Sequence, residues 1–307
     1  MITNRNYKEG DEEAIIDLFE RAYDKKLNLN AWKWRFMDNP AGESVIRLSF
    51  IGDKLLSQYA LSPVDFLIDG VPVKGVMSLD SMTDPEYRGK GLFTRGAVLA
   101  YAKSIHLAYK FVYGFPNDQS YVPFVHRLRW KGFGKMSMMF LREESLTHTV
   151  RQVERFDERV YDLIGSVSKG RIMNARNVEF LNWRYVDNPK NDYSIFIIEE
   201  DDYILGYSVL KKYYDGEKIV GNVVDIAGID SDYIDGLLRH ASRYFSIQGI
   251  SEVSMWYPHS IPPENSDIRP MDKTYFGFAI IDLPGITANL LHGRSRWYLT
   301  MGDSDVF

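Results

Sequence analysis

No cysteine occurs among the 307 residues, which removes disulfides, thiolate metal sites and cysteine nucleophiles together. That absence agrees with a reducing cytoplasm, the compartment expected for this chain. No apolar run approaches the ~20 residues needed to span a bilayer. The opening Met1-Ile2-Thr3-Asn4-Arg5 lacks the apolar core of a signal peptide, so a soluble chain without a membrane partner is expected. The six histidines show neither H-E-x-x-H nor any paired spacing, and no metal is expected. The phosphate-loop pattern G-x-x-x-x-G-K-[ST] is missing, which argues against a nucleotide triphosphatase. Positive charge is short as well. The formal charge of −5 leaves no basic excess for nucleic acid.

Apolar residues make up 45% of the chain, with 20 Tyr and 17 Phe, enough for substantial cores. The length suits two domains of about 150 residues each. Ile2 to Tyr7 reads as a strand, and Asp11 as the cap of a helix with its stripe at Ala14, Ile15, Leu18, Phe19 and Ala22. A short helix follows over Ala31 to Phe36, ended by Asp38-Asn39-Pro40. Strands are expected at Val45 to Ile51, Leu55 to Leu61, Phe66 to Ile68 and Val76 to Thr83. A helix over Leu92 to Tyr109, a strand over Phe111 to Phe115, a helix around Gln119 to Leu128 and a strand over Met136 to Leu141 complete the first half. This alternation indicates an α/β or α+β sheet covered by helices. Arg142 to Lys169 reads as a linker with one amphipathic helix over Val150 to Ile164.

Between the strand at Val76 and the helix at Leu92 stands Pro85-Glu86-Tyr87-Arg88-Gly89-Lys90-Gly91-Leu92-Phe93-Thr94. Strand, glycine-bearing turn and helix in that order gather unpaired N–H groups at a helix N-terminus, where the dipole is positive. Gly89 and Gly91 let backbone come close to a phosphate, and Arg88, Lys90 and Arg95 add positive charge. An ordinary surface turn is the competing reading of these residues.

The first half then repeats. Trp34-Arg35-Phe36-Met37-Asp38-Asn39-Pro40 returns as Trp183-Arg184-Tyr185-Val186-Asp187-Asn188-Pro189. Leu55 to Tyr59 matches Ile204 to Tyr207, Asp69-Gly70 matches Asp215-Gly216, and Val76 to Thr83 matches Val223 to Ile229. Phe111 to Pro116 corresponds to Val253 to Pro258, and Gly132-Phe133 to Gly277-Phe278. Preserved order across these landmarks implies an internal duplication. The copies differ at the turn. Asp230-Ser231-Asp232-Tyr233-Ile234-Asp235-Gly236 is acidic where the first copy is basic, and its three carboxylates would repel a phosphate. The repeated features read as scaffold, and the unrepeated turn as the site.

On these residues the chain resembles the GNAT superfamily of N-acyltransferases, whose R/Q-x-x-G-x-G/A signature lies between a central strand and a helix. Arg88 and Gly91 match, and Phe93 replaces the usual Gly or Ala, as in tandem-domain relatives resembling the enhanced-intracellular-survival acetyltransferases. The resemblance implies two tandem GNAT-like domains, each a mixed, mostly antiparallel sheet flanked by helices, over 1–145 and 171–307 with 146–170 between them. Only the first would hold acyl-coenzyme A, one per chain. It implies pantetheine pairing at Ser81, Met82 and Thr83, the pyrophosphate at the amides of Arg88, Gly89, Lys90, Gly91, Leu92 and Phe93, and Asn117 beside the pantetheine.

The implied reaction is direct transfer of an acyl group, acetyl above all, from acetyl-coenzyme A to a small amine. A lysine-like amine with pKa about 10.4 must lose a proton held roughly 3.4 units above neutrality, a cost of roughly 4–5 kcal/mol, so a base is useful. Asp80, on the central strand, is one candidate; its counterpart Asp225 in the copy without the loop points instead to structural hydrogen bonding. The family's usual general-acid tyrosine aligns with Val125, and Tyr121, one helical turn earlier, is the substitute. The resemblance also brings forward the α-carboxylate of Phe307 as base, against the plainer reading of a docked terminus. Trp34 and Trp183, being repeated, read as helix packing before acceptor pocket. The alternative function is a non-catalytic coenzyme A-binding or scaffold protein. Neither the acceptor nor the oligomeric state follows from the sequence.

Overall fold

In the computed structural model, which describes residues 1–216, 218–257, 267–283, 289 and 291–305, the chain divides into two compact units. The first takes Met1–Asp65, Val73–Gly134 and the described part of Lys273–Ala288. The second takes Phe66–Pro72 and the described parts of Lys135–Asp272 and Asn289–Phe307.

In unit one, β1 (Ile2–Asn6) lies antiparallel to β2 (Val45–Ile51), with Ile2 opposite Ile51. Between them run α1 (Glu12–Tyr23) and α2 (Leu29–Phe36). Asp11 precedes α1 but makes no side-chain cap. Its carboxylate instead takes Arg5 Nη1 and Nη2, both at 2.6 Å, and the Lys8 N–H at 2.7 Å. With both oxygens taken up by Arg5 and Lys8 on the N-terminal side, the carboxylate does not turn to the N–H groups of the first helical turn. Asn28, in contrast, caps α2 by accepting the Ala31 N–H at 3.0 Å. The two strands expected over Leu55 to Ile68 are one, β3 (Lys54–Ile68), because Pro63 removes a single donor without ending the extended run. Then come β4 (Val71–Thr83), α3 (Leu92–His106) and β5 (Phe111–Gly114), with β4 and β5 parallel as a helical crossover requires. The expected helix near Gln119 is a short α4 (Asp118–Val122) followed by a wide turn, Pro123–Arg127, before β6 (Lys131–Phe140).

Both faces of this sheet are covered. Ile15, Leu18, Trp32 and Phe36 pack with Leu48, Leu55, Leu79 and Met82 on one side. Ala97 and Ala100 of α3 pack with Tyr59, Val76, Phe124 and Trp130 on the other. Gly96 lets α3 approach closely, since a Cβ there would lie 3.0 Å from that of Tyr59.

Unit two holds β7 (Arg151–Val153), α5 (Val160–Val167), β8 (Ile172–Asn174), α6 (Val178–Tyr185), β9 (Ser194–Glu200), β10 (Tyr203–Asp215), β11 (Lys218–Gly228), α7 (Ser231–Ser246) and β12 (Val253–Trp256), while β13 (Asp267–Ile280) belongs to unit one from Lys273 on, and β6 to unit two from Lys135 on. Within the expected linker, Arg151–Val153 is extended rather than helical because it pairs antiparallel with Ile195–Ile197. The strand orders match: β1-β2-β3-β4-β5-β13 in unit one, and β7-β9-β10-β11-β12-β6 in unit two. In each unit the central parallel pair is equivalent, β4 with β5 and β11 with β12. Each sheet is closed by a strand from the other half of the sequence. Gly277–Ile280 pairs with β5, and Met138–Phe140 pairs with β12.

Candidate functional site

The parallel pairing of β4 with β5 covers Gly75, Val76 and Met77 against Phe111, Val112 and Tyr113; β5 stops at Gly114 while β4 continues to Thr83. Beyond the pairing lies a cleft of about 430 Å³. Ser81, Met82 and Thr83 line it from the end of β4, and Ala22 and Tyr23 from the end of α1. Tyr87, Arg88, Gly89, Gly91, Leu92 and Phe93 contribute the turn and the start of α3; Asn117, Gln119, Ser120, Pro123 and Arg127 complete the lining. Of the ten residues expected to meet a coenzyme, the cleft gathers all but Lys90, whose ammonium lies 4.2 Å from the Tyr87 ring centroid.

The turn has the backbone its glycines permit. Gly89 and Gly91 have φ of 77° and 78°, and Gly91 is the residue from which α3 starts. A Cβ on Gly91 would meet no atom within 4 Å, so its surroundings are open. The first N–H groups of α3 have no carbonyl a turn earlier to bond, and they carry the positive end of the helix dipole. Arg88 sends Nε to Thr83 O at 3.4 Å and Nη2 to Ala22 O at 3.2 Å, tying the turn to β4 and α1. Phe93, the departure from the usual signature, packs edge-on against Tyr59 and Phe124 at centroid distances of 5.4 and 5.2 Å. Its bulk is thereby taken up by the aromatic core beneath α3. Asn117 caps α4, accepting the Gln119 and Ser120 N–H groups at 3.1 Å each.

Asp80 is the one residue of β4 with a left-handed φ, 46°. Its carbonyl accepts Gln58 Nε2 at 2.9 Å and its carboxylate accepts Arg35 Nη1 at 2.8 Å, with the Asp80 side chain 19% exposed. A non-glycine residue held there costs of order 1–3 kcal/mol and persists only where its surroundings impose it. Asp225 differs. It is fully buried and bonded to Arg176 Nε at 3.1 Å, Tyr185 Oη at 2.9 Å, Tyr207 Oη at 3.1 Å and Thr300 Oγ1 at 3.0 Å. That network makes Asp225 a structural carboxylate, whereas Asp80 keeps one charged partner and partial access to water. Tyr121 stacks on Tyr275 at 4.3 Å and is not among the cleft residues. Phe307 lies outside the described residues.

Asp84 carries no mark of a site residue in the sequence. It is 2% exposed and accepts the Glu86 N–H at 3.0 Å, Arg21 Nη1 at 2.9 Å and Lys54 Nζ at 3.1 Å. Burial opposes its ionisation, but Lys54, the Glu86 amide and Arg21 outweigh that and hold its pKa below the usual carboxylate value. Only the Asp-Pro pair hinted at a turn here; Arg21 lies too far along the chain to be read as a partner. Among the described residues no cluster of His, Asp and Glu could hold a metal ion.

Residues 3–132 match the sequence family described as an acetyltransferase (GNAT) domain. The matched stretch carries the glycine turn and the whole lining of the cleft. No curated protein sequence is significantly similar to the chain. The GNAT fold is equally plain in solved structures. A GCN5-related N-acetyltransferase from Anabaena variabilis superposes with a TM-score of 0.70 at 12% identity, covering 92% of this chain and 73% of that one. One from Kribbella flavida gives 0.65 at 12% identity, over 92% and 71%. A tandem GNAT protein from the clavulanic acid biosynthesis pathway gives 0.58 at 13% identity, over 93% of this chain and all of its own. The chain therefore has a tandem GNAT fold, with a mixed, mostly antiparallel sheet and flanking helices in each unit.

Proposed function

We propose that the protein is an acyl-coenzyme A-dependent N-acyltransferase, with acetyl-coenzyme A as donor and a small amine as acceptor. One observation carries this reading: the end of β4, the left-handed glycine turn and the start of α3 line a single cleft. Backbone donors at the start of α3 suit a pyrophosphate, and the extended end of β4 suits the amide-bearing pantetheine arm. The bound thioester supplies the acyl group and a thiol leaving group. The amine nitrogen attacks the thioester carbonyl, and a backbone N–H at the end of β4 stabilises the resulting oxyanion. We assign Asp80, next to the cleft residue Ser81 and steadied by Arg35, to accept the amine proton across water. The proton then returns to the departing sulfur.

A second reading, coenzyme binding without catalysis, has one observation in its favour: the Asp80 carboxylate is already engaged by Arg35. Thermal unfolding with acetyl-coenzyme A and with free coenzyme A separates the possibilities. Ligand at 100 times its Kd should stabilise by about 2.7 kcal/mol. Gly91→Ala should weaken that response, because alanine is disfavoured in the left-handed region by about 1–2 kcal/mol. Absence of any shift in the unsubstituted protein would remove the coenzyme reading. A shift with neither thioester hydrolysis nor transfer across an amine panel would favour binding alone.

A further inference from the structure

The two units provide an internal control. Asp84 N–H donates to Leu56 O at 2.8 Å, and Ile229 N–H donates to Leu205 O at 3.0 Å. Leu56 and Leu205 are themselves counterparts in the repeat, so the same backbone bond marks Asp84 and Ile229 as equivalent. Lys54 and Tyr203 are equivalent too. Each opens the second strand of its hairpin, Lys54 opposite Ile51 and Tyr203 opposite Glu200. The frame common to both units thus tolerates Ile229, 43% exposed, and Tyr203, 60% exposed, where unit one has a buried carboxylate and a lysine. The charged set belongs to the copy with the glycine turn, not to the fold.

Its geometry says what it does there. Asp84 Oδ1 accepts the Glu86 N–H, which fixes the 3₁₀ turn Pro85–Tyr87 leading into Arg88. Asp84 Oδ2 takes both Arg21 Nη1 at 2.9 Å and Lys54 Nζ at 3.1 Å. Arg21 Nη2 also donates to Leu55 O at 2.8 Å, so one guanidinium joins α1, β3 and the turn. We infer that Asp84, gripped by Arg21 and Lys54, is the positioning residue that presets the coenzyme turn before a ligand arrives. It touches no reacting atom. Its effect is to spare the ligand the ordering of the turn, which appears as affinity. This inference rests on the coenzyme reading above.

The test uses the full chain, with coenzyme A binding followed by calorimetry and acetyl-coenzyme A turnover followed by released thiol. Asp84→Asn keeps an oxygen for the Glu86 N–H but removes the charge, and should raise the Kd for coenzyme A at least tenfold. Arg21→Ala, at a side chain 26% exposed and so less of a folding risk, should do the same, and Arg21→Lys should recover most of the loss. KM for acetyl-coenzyme A should rise much more than kcat falls. A lower Tm with an unchanged Kd in both variants would mean a purely structural ion set and would overturn the inference alone. If the unsubstituted protein binds no coenzyme A, the functional reading and this inference fall together. Should Asp84→Asn not fold, Arg21→Ala decides.

Discussion

Lys211 illustrates what a single side chain can report. Burial, with Arg184 and Lys190 adding like charge, pushes its pKa down to about 8. Its ammonium lies 5.9 Å from the Tyr193 ring centroid, and Arg184 donates to the hydroxyl of the same tyrosine at 2.9 Å. The unfolded lysine titrates near ~10.4, so between about 8 and ~10.4 the unfolded chain binds more protons and stability rises with pH. Below about 8 the penalty is present in full. Lys211→Met should therefore raise Tm at pH 7, with the gain shrinking as pH climbs toward ~10.4. A gain of equal size at both ends would sink this account. The sequence shows only two adjacent cations, Lys211-Lys212, before two tyrosines, of which Tyr214 is 66% exposed. The clustering of cations was not visible there, since α6 and the loop after it bring Arg184 and Lys190 to β10 from distant positions.

At the level of elements, patterns local to the chain were the readable ones. Val45–Ile51 has the bounds its alternation implies, and α3 begins at Leu92 as the glycine turn indicates. Ends set by competition between side chains were not. Asn28 and Asn177 cap α2 and α6, accepting from Ala31 N at 3.0 Å and Phe180 N at 2.8 Å, and so start both helices earlier than their aromatic stripes suggest. Asp11 looks like a cap and is not one, because Arg5 claims it. Asn177→Ala should cost about 1 kcal/mol in urea unfolding, within the usual range for a lost cap. A cost near zero would mean water replaces the bond. The glycine turn itself was legible because its chemistry is consecutive. The ion set behind it was not, because Arg21, Lys54 and Asp84 meet only after α1, β3 and β4 have packed.

For the whole molecule, the repeat of Trp34 to Pro40 at Trp183 to Pro189 exposed the duplication, and the matching strand orders give it physical form. Each copy keeps a carboxylate at the same place on its central strand. In unit two it is locked away. Arg176, 1% exposed, serves both Asp225 and Asp303, and burial raises the Asp303 pKa against the pull of Arg176. Arg176→Met would remove the buried guanidinium bonded to both carboxylates and should destabilise unit two by about 3–5 kcal/mol. Faster amide exchange in β11 and α6, with a lower urea midpoint, is the expected readout; a loss below about 1 kcal/mol would contradict the assignment of Asp225 as structural. The exchange of closing strands escaped the sequence reading. Its landmarks recur in order, and nothing local in Met136 to Leu141 or Gly277 to Ile280 says which sheet each will join.

That exchange has a consequence for how the gene can be cut. A product stopped after the first repeat would translate every residue of the glycine turn yet lack Gly277 to Ile280, leaving the β5 edge with bare amides and carbonyls. A product begun at the second repeat would lack Met138 to Phe140 and leave β12 equally bare. Duplication made two copies of one fold; trading the last strand made them a single inheritable whole, no longer divisible into the ancestors it came from.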